Sequence, residues 1–286
     1  MSELSILAQN VQDALQDLFE KTDIPHEVKD AMWYSLSAGG KRLRPALMLL
    51  FCRAFGGADE TAMPYACAME MIHTYSLIHD DLPAMDNDDY RRGRLTNHKV
   101  FGEPMAILAG DALLTDAFAV ATMTELPNPA NMGFAIALLA ECAGSLGMVG
   151  GQVLDILSEN RELNEKEVID IQSRKTGRLI NAACVLGVIA AGGSGAQIEA
   201  AARFAGCLGL SFQIRDDMLD VIGTQEEMGK GVGTDEKKNT FVKLHGLPKC
   251  EELVNKYTAS ALEALCEFKD TSYMAALANS LTRRRV

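Results

Sequence analysis

In MIHTYSLIHDDLPAMD, residues 71–86, an apolar helical pattern runs into a cluster of aspartates. A second stretch of this kind, CLGLSFQIRDDMLD at residues 207–220, places its aspartates about 136 residues further along. Carboxylates this crowded repel one another unless a cation lies between them. Mg²⁺ prefers oxygen ligands and completes its shell with substrate phosphates. The pair of stretches therefore predicts Mg²⁺ ions clamped between two aspartate-rich helices and holding a phosphorylated substrate.

The spacing within each cluster predicts its local geometry. Asp216 and Asp220 are four residues apart, so they share one helix face. Two extra residues, one of them Pro83, separate Asp81 from Asp86, so the first helix should end or loosen there. Solvated acidic helix ends are the alternative. A carboxylate at a helix C-terminus is disfavoured by the helix dipole, and two such ends favour a bound cation.

Composition limits the class of protein. The chain has 286 residues, 48% of them hydrophobic, which suits one domain over residues 1–286. A net charge of −12 argues against nucleic acid or an anionic membrane as a partner. The N-terminus lacks a signal-peptide pattern, and the longest apolar run, 182–191, is about half of what a bilayer requires. We expect a soluble, cytoplasmic protein without a membrane span, in which the seven cysteines are reduced and mostly buried.

Apolar periodicity is helical almost throughout, with no sustained period-two alternation. Asn164 with Glu167 forms a capping box, and Ser194 with Gln197 forms another. The predicted helices cover residues 4–18, 25–40, 45–57, 63–79, 164–193 with a kink near Thr176-Gly177, 194–220, 248–268 and 272–284. These patterns predict an all-α, single-domain bundle of about ten helices around a central cavity.

Two basic segments are candidate anion sites. In GGKRLRP, residues 39–45, free amides are combined with Lys41, Arg42 and Arg44. A helix C-cap with solubilising bases is the alternative there. Arg91 and Arg92 follow the first aspartate cluster, and arginine offers bidentate hydrogen bonds to phosphate. Salt bridges to Asp86, Asp88 and Asp89 are the alternative for this pair.

Isolated polar residues in or beside apolar helices are weaker candidates. Each one alone is more often a surface residue or a satisfied core residue. The set comprises His73, Lys175, Thr176, Gln213 and Lys230.

Together these segments resemble the trans-isoprenyl diphosphate synthases, and most of all the short-chain bacterial farnesyl diphosphate synthases (geranyltranstransferases). The resemblance extends over most of the chain, with all segments in the family's order. The segments are GGKRLRP (39–45), MIHTYSLIHDDLPAMDNDDYRRG (71–93), NHKVFGE (97–103), ILAGDALL (107–114), GQVLD (151–155), KTGRL (175–179) and FQIRDDMLDVIG (212–223).

The resemblance implies the isoprenoid synthase fold, a cytosolic homodimer and Mg²⁺, with three ions per active site. It implies metal ligands at Asp80, Asp81, Asp86, Asp216, Asp217 and Asp220. The isopentenyl diphosphate site would comprise Gly40, Lys41, Arg44, His73 and Arg92. The allylic diphosphate site would comprise Arg91 and the catalytic residues Lys175, Thr176, Gln213 and Lys230. Lys238 would be a further substrate-binding lysine, in a loop about two residues shorter than the family's.

The implied reaction ionises an allylic diphosphate. Charge on the leaving diphosphate is stabilised by Mg²⁺ and cations, while Thr176 and Gln213 face the carbocation. Isopentenyl diphosphate then attacks through its alkene, and the departing diphosphate takes the proton. Farnesyl diphosphate (C15) is the expected product and geranylgeranyl diphosphate (C20) the alternative. A terpene cyclase and a non-catalytic partner subunit are the remaining candidates.

The product length is expected to depend on Tyr75. In the family, a large residue five positions before the first aspartate closes the tunnel for the growing chain. A rise of about 1.5 Å per residue places Tyr75 roughly 7–8 Å below Asp80. Ideal helix geometry, however, turns Tyr75 some 140° away from the face of Asp80 and puts the small Ser76 nearly beneath it. The tyrosine ring must therefore reach the tunnel from the side.

Overall fold

The computed structural model describes residues 3–159, 161–222, 240–268 and 271–283. The described chain is almost entirely helical, as the sequence predicts. Its α-helices are α1 (Glu3–Lys21), α2 (His26–Leu36), α3 (Leu43–Ala54), α4 (Asp59–Asp80), α5 (Asn97–Phe101), α6 (Glu103–Ala121), α7 (Met132–Ala143), α8 (Met148–Ser158), α9 (Glu165–Gln172), α10 (Arg178–Ala190), α11 (Gly195–Ile222), α12 (Phe241–Ala264) and α13 (Ser272–Arg283).

The main core surrounds α10. Nearly all of α10 from Leu179 to Ala190 is buried, so this helix is apolar on every side. It packs against α3, α4, α7 and α11. Close packing against α3 requires Gly187, because a Cβ there would lie 2.3 Å from the carbonyl oxygen of Met48. The longest apolar run of the sequence is thus the central helix of the bundle.

A second, small cluster of buried side chains joins α9, α11 and α12. Asn164 caps α9 through the predicted capping box, with its Oδ1 accepting from the amide of Glu167 at 3.1 Å. The members of this small cluster are Leu163, Val168, Ile171, Ile214, Met218, Phe241, Cys250 and Val254. It holds the end of α11, which carries the second aspartate cluster, against the C-terminal part of the chain.

The sequence does not predict the short antiparallel hairpin formed by β1 (Tyr90–Arg91) and β2 (Arg94–Leu95). Two residues per strand are too few for an alternation pattern to be visible. The hairpin is docked on α2, where the Tyr34 hydroxyl donates to the carbonyl of Leu95 at 2.9 Å. The Arg94 guanidinium lies 4.3 Å from the centre of the Tyr34 ring. This contact fixes the segment that carries Arg91 and Arg92.

The predicted kink near Thr176 is a π-helical turn, Ser173–Gly177, between α9 and α10. Such turns occur mostly as single insertions in α-helices and often at functional sites. The last long helix begins earlier than predicted, at Phe241. It breaks at Gly246, whose φ of 71° is non-helical, so the predicted start at Pro248 matches only its regular part.

Two stretches, Glu103–Ala121 and Pro129–Ser158, are long and apolar enough to cross a membrane by length and composition alone. Neither stretch is a continuous apolar run in the sequence. Asp111 and Asp116 interrupt the first, and the break between α7 and α8 interrupts the second. Only 39% and 33% of their most apolar windows is buried within the chain. A large apolar surface therefore remains exposed on α6, α7 and α8. The seven cysteines are unpaired, and five of them are buried, as expected.

Candidate active site

The first aspartate cluster lies where α4 ends. The helix stops at Asp80, and the chain folds back so that the amide of Asp86 donates to the carbonyl of Asp80 at 2.9 Å. This turn confirms the expected helix end at the two extra residues. It places Asp86, which is exposed, beside Asp80 at the rim of the site.

Asp80 is the most perturbed carboxyl of this cluster. Burial raises its pKa to about 6, and the negative charges of Asp86 and Asp81 act in the same direction against Lys175 and Arg91. Its Oδ1 accepts a hydrogen bond of 3.1 Å from Nε2 of Gln152 on α8. An ionised Asp80 is thus costly in the protein alone and would be stabilised by a cation.

Asp81 points to a different partner. Its side chain is 4% exposed and accepts from Nε (2.7 Å) and Nη2 (2.5 Å) of Arg91. Arg91 also lies 3.5 Å from Asp88. In this structure Arg91 therefore forms salt bridges, which was the alternative to an anion site. Its main partner is Asp81 rather than Asp86. Asp81 positions Arg91 at the rim beside Asp80, and a metal-ligand role for Asp81 stays a prediction.

The GGKRLRP segment does not present three cations to an anion. Arg42 turns inward and forms an ion pair with Glu70, and each side chain is only 2% exposed. Arg42 also donates to Oε1 of Gln12 at 2.7 Å and to the carbonyl of Leu36. This corrects the expectation for Arg42, whose guanidinium is engaged within the fold and does not face an anion site.

Arg44 and His73 lie together on the wall of the same cavity. Nε of Arg44 is buried and has no hydrogen-bond partner in the described part of the chain. Burial, followed by the charges of Arg44 and Arg92, holds the pKa of His73 well below its usual value. A neutral imidazole and an incompletely paired guanidinium side by side suit a ligand that brings its own negative charge.

Arg92 reaches the glycine pair of the same segment. Its guanidinium donates to the carbonyl of Gly39 and lies so close to Gly40 that a Cβ there would be 2.6 Å from Cζ. Gly40 also has a φ of 123°, which L side chains rarely adopt. The structure thus brings Gly40, Arg92, Arg44 and His73 to one region, and their role in binding isopentenyl diphosphate stays a prediction.

The π-helical turn supplies Lys175 and Thr176. Lys175 forms an ion pair of 2.6 Å with Asp155 on α8. Hydroxyl Oγ1 of Thr176 donates to Oε1 of Gln213 on α11 at 3.2 Å. Gly151 allows α8 to approach, because a Cβ there would lie 2.3 Å from the amide nitrogen of Lys175. Contacts therefore connect α8, the π-turn and α11 across the site.

Sequence reasoning assigned no role to Gln152 and Asp155. Both lie in the segment GQVLD, and one contacts Asp80 while the other contacts Lys175. Oε1 of Gln152 is buried without a hydrogen-bond partner among the described residues. Their spacing of three residues, which places both on one helix face, is the signal that could have identified them.

The second aspartate cluster divides into two kinds of residue. Asp216 and Asp220 are half-buried and share one face of α11, as predicted. Asp217 is buried and accepts from Nε2 of Gln213 at 3.0 Å and from the amide of Phe241 at 2.9 Å. Its carboxylate therefore caps the start of α12, and a metal-ligand role for Asp217 stays a prediction.

A cavity of about 590 Å³ lies between α3, α4, α6, α8 and the π-helical turn. Its polar lining consists of Arg44, His73, Ser76, His79, Asp80, Gln152, Lys175 and Thr176. The remaining lining is largely apolar and includes Tyr75, Leu77, Ile107, Met148, Val153 and Ile156. A charged end and an apolar body match a ligand with an anionic head and a hydrocarbon chain.

The donor set fits Mg²⁺ that is shared with a substrate. No three carboxylate, histidine or cysteine side chains lie close enough to enclose a metal in the described ranges. Mg²⁺ commonly takes one or two carboxylates, waters and substrate phosphates, so such an enclosure is not required. Asp80, with its pKa raised to about 6, has the chemistry of a group that a cation would stabilise. Lys230 and Lys238 lie outside the described residues.

Comparison with known proteins agrees with this geometry. The family model described as polyprenyl synthetase matches residues 25–278. A heterodimeric geranylgeranyl pyrophosphate synthase large subunit from Arabidopsis thaliana is 46% identical over 100% of this chain and 79% of that protein. The farnesyl diphosphate synthase of Micrococcus luteus is 50% identical over 82% of this chain and 81% of that one. The crystal structure of a geranyltransferase from Legionella pneumophila superposes with a TM-score of 0.88 at 32% identity, over 99% and 96% of the two chains. The chain therefore belongs to the polyprenyl synthetase family and is a trans-prenyltransferase of the isoprenoid synthase fold.

Proposed function

We propose that this chain condenses isopentenyl diphosphate head to tail with dimethylallyl and geranyl diphosphate to form farnesyl diphosphate, in the cytoplasm and with Mg²⁺. The observation that carries the proposal is the cavity of about 590 Å³ that joins Asp80, Lys175 and Thr176 to an apolar body containing Tyr75. An allylic diphosphate would place its anionic head near Asp80, Lys175 and Thr176, and its hydrocarbon chain along the apolar part of the cavity.

Different side chains would bind the diphosphate groups of the two substrates. Arg44 and Arg92, with Lys41 and neutral His73, would hold isopentenyl diphosphate, which does not ionise. Lys175 and Arg91 would hold the allylic diphosphate after exchanging Asp155 and Asp81 for phosphate oxygens. Mg²⁺ bound to the carboxylates of Asp80, Asp86, Asp216 and Asp220 would supply charge neutralisation on the leaving diphosphate.

The carbocation is expected to meet polar but uncharged groups. The Thr176–Gln213 pair presents hydroxyl and amide oxygens beside Lys175, and the apolar lining of the cavity would face the hydrocarbon chain. Held against this wall, the alkene of isopentenyl diphosphate would attack the allylic carbon. The departing diphosphate, still bound by cations, would accept the proton that is lost.

Tyr75 supports a C15 product. Its side chain is 6% exposed and lines the cavity together with Ser76. Both residues thus contact the cavity, which supports Tyr75 as the residue that limits the length of the product. The second candidate product is C20, which is favoured by the 46% identity to the geranylgeranyl pyrophosphate synthase of Arabidopsis thaliana.

A second copy of this chain is the proposed partner for the exposed apolar surface of α6–α8. Leu108, Phe134, Leu146 and Leu157 are each at least half exposed. Large exposed apolar side chains concentrated on neighbouring helices often mark a protein interface. The mass of one chain is 30.9 kDa, and sedimentation equilibrium should give twice this mass. A monomer at micromolar concentration would contradict the homodimer.

The activity is tested by chromatography of dephosphorylated products from labelled isopentenyl diphosphate with dimethylallyl or geranyl diphosphate. Farnesol should be the main alcohol, whereas geranylgeraniol would establish the C20 alternative. Incubation with the allylic substrate alone is the control, because a terpene cyclase would consume it. Absence of any product with Mg²⁺ present would indicate a non-catalytic subunit.

A further inference from the structure

The ring of Tyr75 does not stand alone at the cavity wall. His79 follows it by four residues on α4, so the two side chains share one helix face. Their ring centroids are 5.7 Å apart and the ring planes meet at 78°, an edge-to-face contact. Both rings line the cavity, and His79 is 29% exposed. The imidazole is therefore the neighbour against which the tyrosine ring rests.

The imidazole is in turn fixed on α6. Its Nε2 lies 3.1 Å from the carbonyl oxygen of Ile107 and donates a hydrogen bond to it. The carboxylate of Asp111 is 3.9 Å away on the same helix. A backbone carbonyl can accept a second hydrogen bond in addition to its helical one, so α6 is not disrupted by this contact.

Gly110 makes this position possible. A Cβ on Gly110 would lie 2.2 Å from Nε2, 2.5 Å from Cδ2 and 2.9 Å from Cε1 of His79. The imidazole thus occupies the volume that any other residue at this position would fill. Because α6 lies behind the ring, a methyl group at position 110 would push the imidazole away from α6 and into the cavity.

We infer that His79 and Gly110 together set the length of the product: Gly110 gives the imidazole its place on α6, and the imidazole positions the ring of Tyr75. This inference rests on the proposed prenyl transfer and on Tyr75 as the residue that ends chain growth. His79 acts through Tyr75 and is a positioning residue, so its effect belongs to product length rather than to rate alone.

Three variants test the pair, and the two single substitutions should change the length of the product in opposite directions. His79→Ala removes the support of the tyrosine ring and enlarges the cavity, so the C20:C15 ratio should rise roughly 2- to 10-fold. Gly110→Ala displaces the imidazole into the cavity, so the C10:C15 ratio should rise instead. In the double variant the methyl group meets no ring, and the products should match those of His79→Ala. Such non-additivity is expected only for residues in direct contact.

Gly206→Ala is the matched control, because Gly206 is an exposed glycine of α11 and no atom lies within 4 Å of the point where its Cβ would be. Its product distribution should equal that of the wild type. Thermal unfolding identifies variants that fail to fold, and if Gly110→Ala is one of them, His79→Ala and the double variant carry the test.

Tyr75→Ala distinguishes the proposed C15 activity from the inferred role of His79 and Gly110. A wild-type product of mainly C20 overturns the proposed C15 activity. A C15 product that shifts in Tyr75→Ala, but is unchanged in both His79→Ala and Gly110→Ala, overturns the inference alone. A rise in C20:C15 for Tyr75→Ala and His79→Ala, with the opposite shift for Gly110→Ala, supports it.

Discussion

Arg42 and Glu70 form an ion pair whose two side chains are each only 2% exposed, between the loop that carries Lys41 and the start of α3, where Arg44 lies. Arg42 adopts a left-handed backbone conformation with a φ of 44°, and this turns its side chain under the loop. The pair therefore connects the glycine-rich segment to α4, the helix that ends in the first aspartate cluster.

Removing Glu70 should destabilise the fold. In Glu70→Ala the buried guanidinium of Arg42 loses its charge partner, and the free energy of unfolding should fall by about 3–5 kcal/mol. Urea denaturation at pH 7.5 measures this loss. Glu252→Ala is the control, since that side chain is 68% exposed and its pair with Lys249 contributes little. A loss below about 1 kcal/mol would show that Arg42 finds another partner.

Either aspartate cluster should be required for turnover. Asp80→Ala and Asp216→Ala should each lower the rate of product formation by at least ~10²-fold, because stabilisation of the leaving diphosphate is lost. Steady-state assays with saturating Mg²⁺ and both substrates measure the effect. Asp17→Ala on α1, where the side chain is 69% exposed, should leave the rate unchanged. Near-normal turnover in either cluster variant would contradict the metal clamp.

The two diphosphate positions should separate kinetically. Arg44→Ala should raise the KM for isopentenyl diphosphate roughly 10- to 100-fold, and Arg91→Ala should raise the KM for the allylic substrate by a similar factor. Each variant lacks a guanidinium that would donate charged hydrogen bonds to the phosphate of one substrate. The comparison requires each substrate to be varied with the other saturating. Arg161→Ala, at an arginine 59% exposed, is the control, and equal effects on both KM values would reject separate sites.

Burial of His73 predicts a pH-dependent stability. Its folded-state pKa lies well below the unfolded value of about 6.5, so the unfolded chain takes up a proton first as the pH falls. The free energy of unfolding of the wild type should therefore be unaffected by His73 above pH 6.5. Below pH 6.5 it should fall, with a slope approaching about 1.4 kcal/mol per pH unit. His73→Gln lacks this loss. The difference in unfolding free energy between the two proteins should therefore shift in favour of the variant from pH 7.5 to pH 5, and a constant difference would contradict a buried neutral imidazole.

Much of the fold could be predicted because it rests on local signals. The Asn164–Glu167 capping box, the stripe of α1 and the helix end at Asp80 are determined by residues a few positions apart. The hairpin at Tyr90–Leu95 could not be predicted, since its strands are shorter than one period of any pattern. Its stability comes from contacts with α2, some 60 residues away.

The site was predictable in its residue types but not in its pairings. Arg42, Lys41 and Arg44 have similar side chains, and only the position of Glu70 on α4 decides that Arg42 turns inward. The pairing of Asp81 with Arg91 likewise depends on a turn whose path the sequence does not specify. Sequence patterns show which groups are available, whereas tertiary contacts determine which of them remain for a ligand.

The π-helical turn at Ser173–Gly177 has a consequence for the hydrophobic phase of the helix that contains it. Each residue of an α-helix adds about 100° of rotation, so the one extra residue of a π-turn rotates α9 by that amount relative to α10. Val168 and Ile171 of α9 can therefore point into the small cluster while α10 is enclosed by the main core. Without this phase shift, Val168 and Ile171 would be rotated by about 100° away from the small cluster, whereas α10, which is apolar on every side, can be buried in either phase. The turn that presents Lys175 and Thr176 to the cavity thus also lets a single helix belong to two cores.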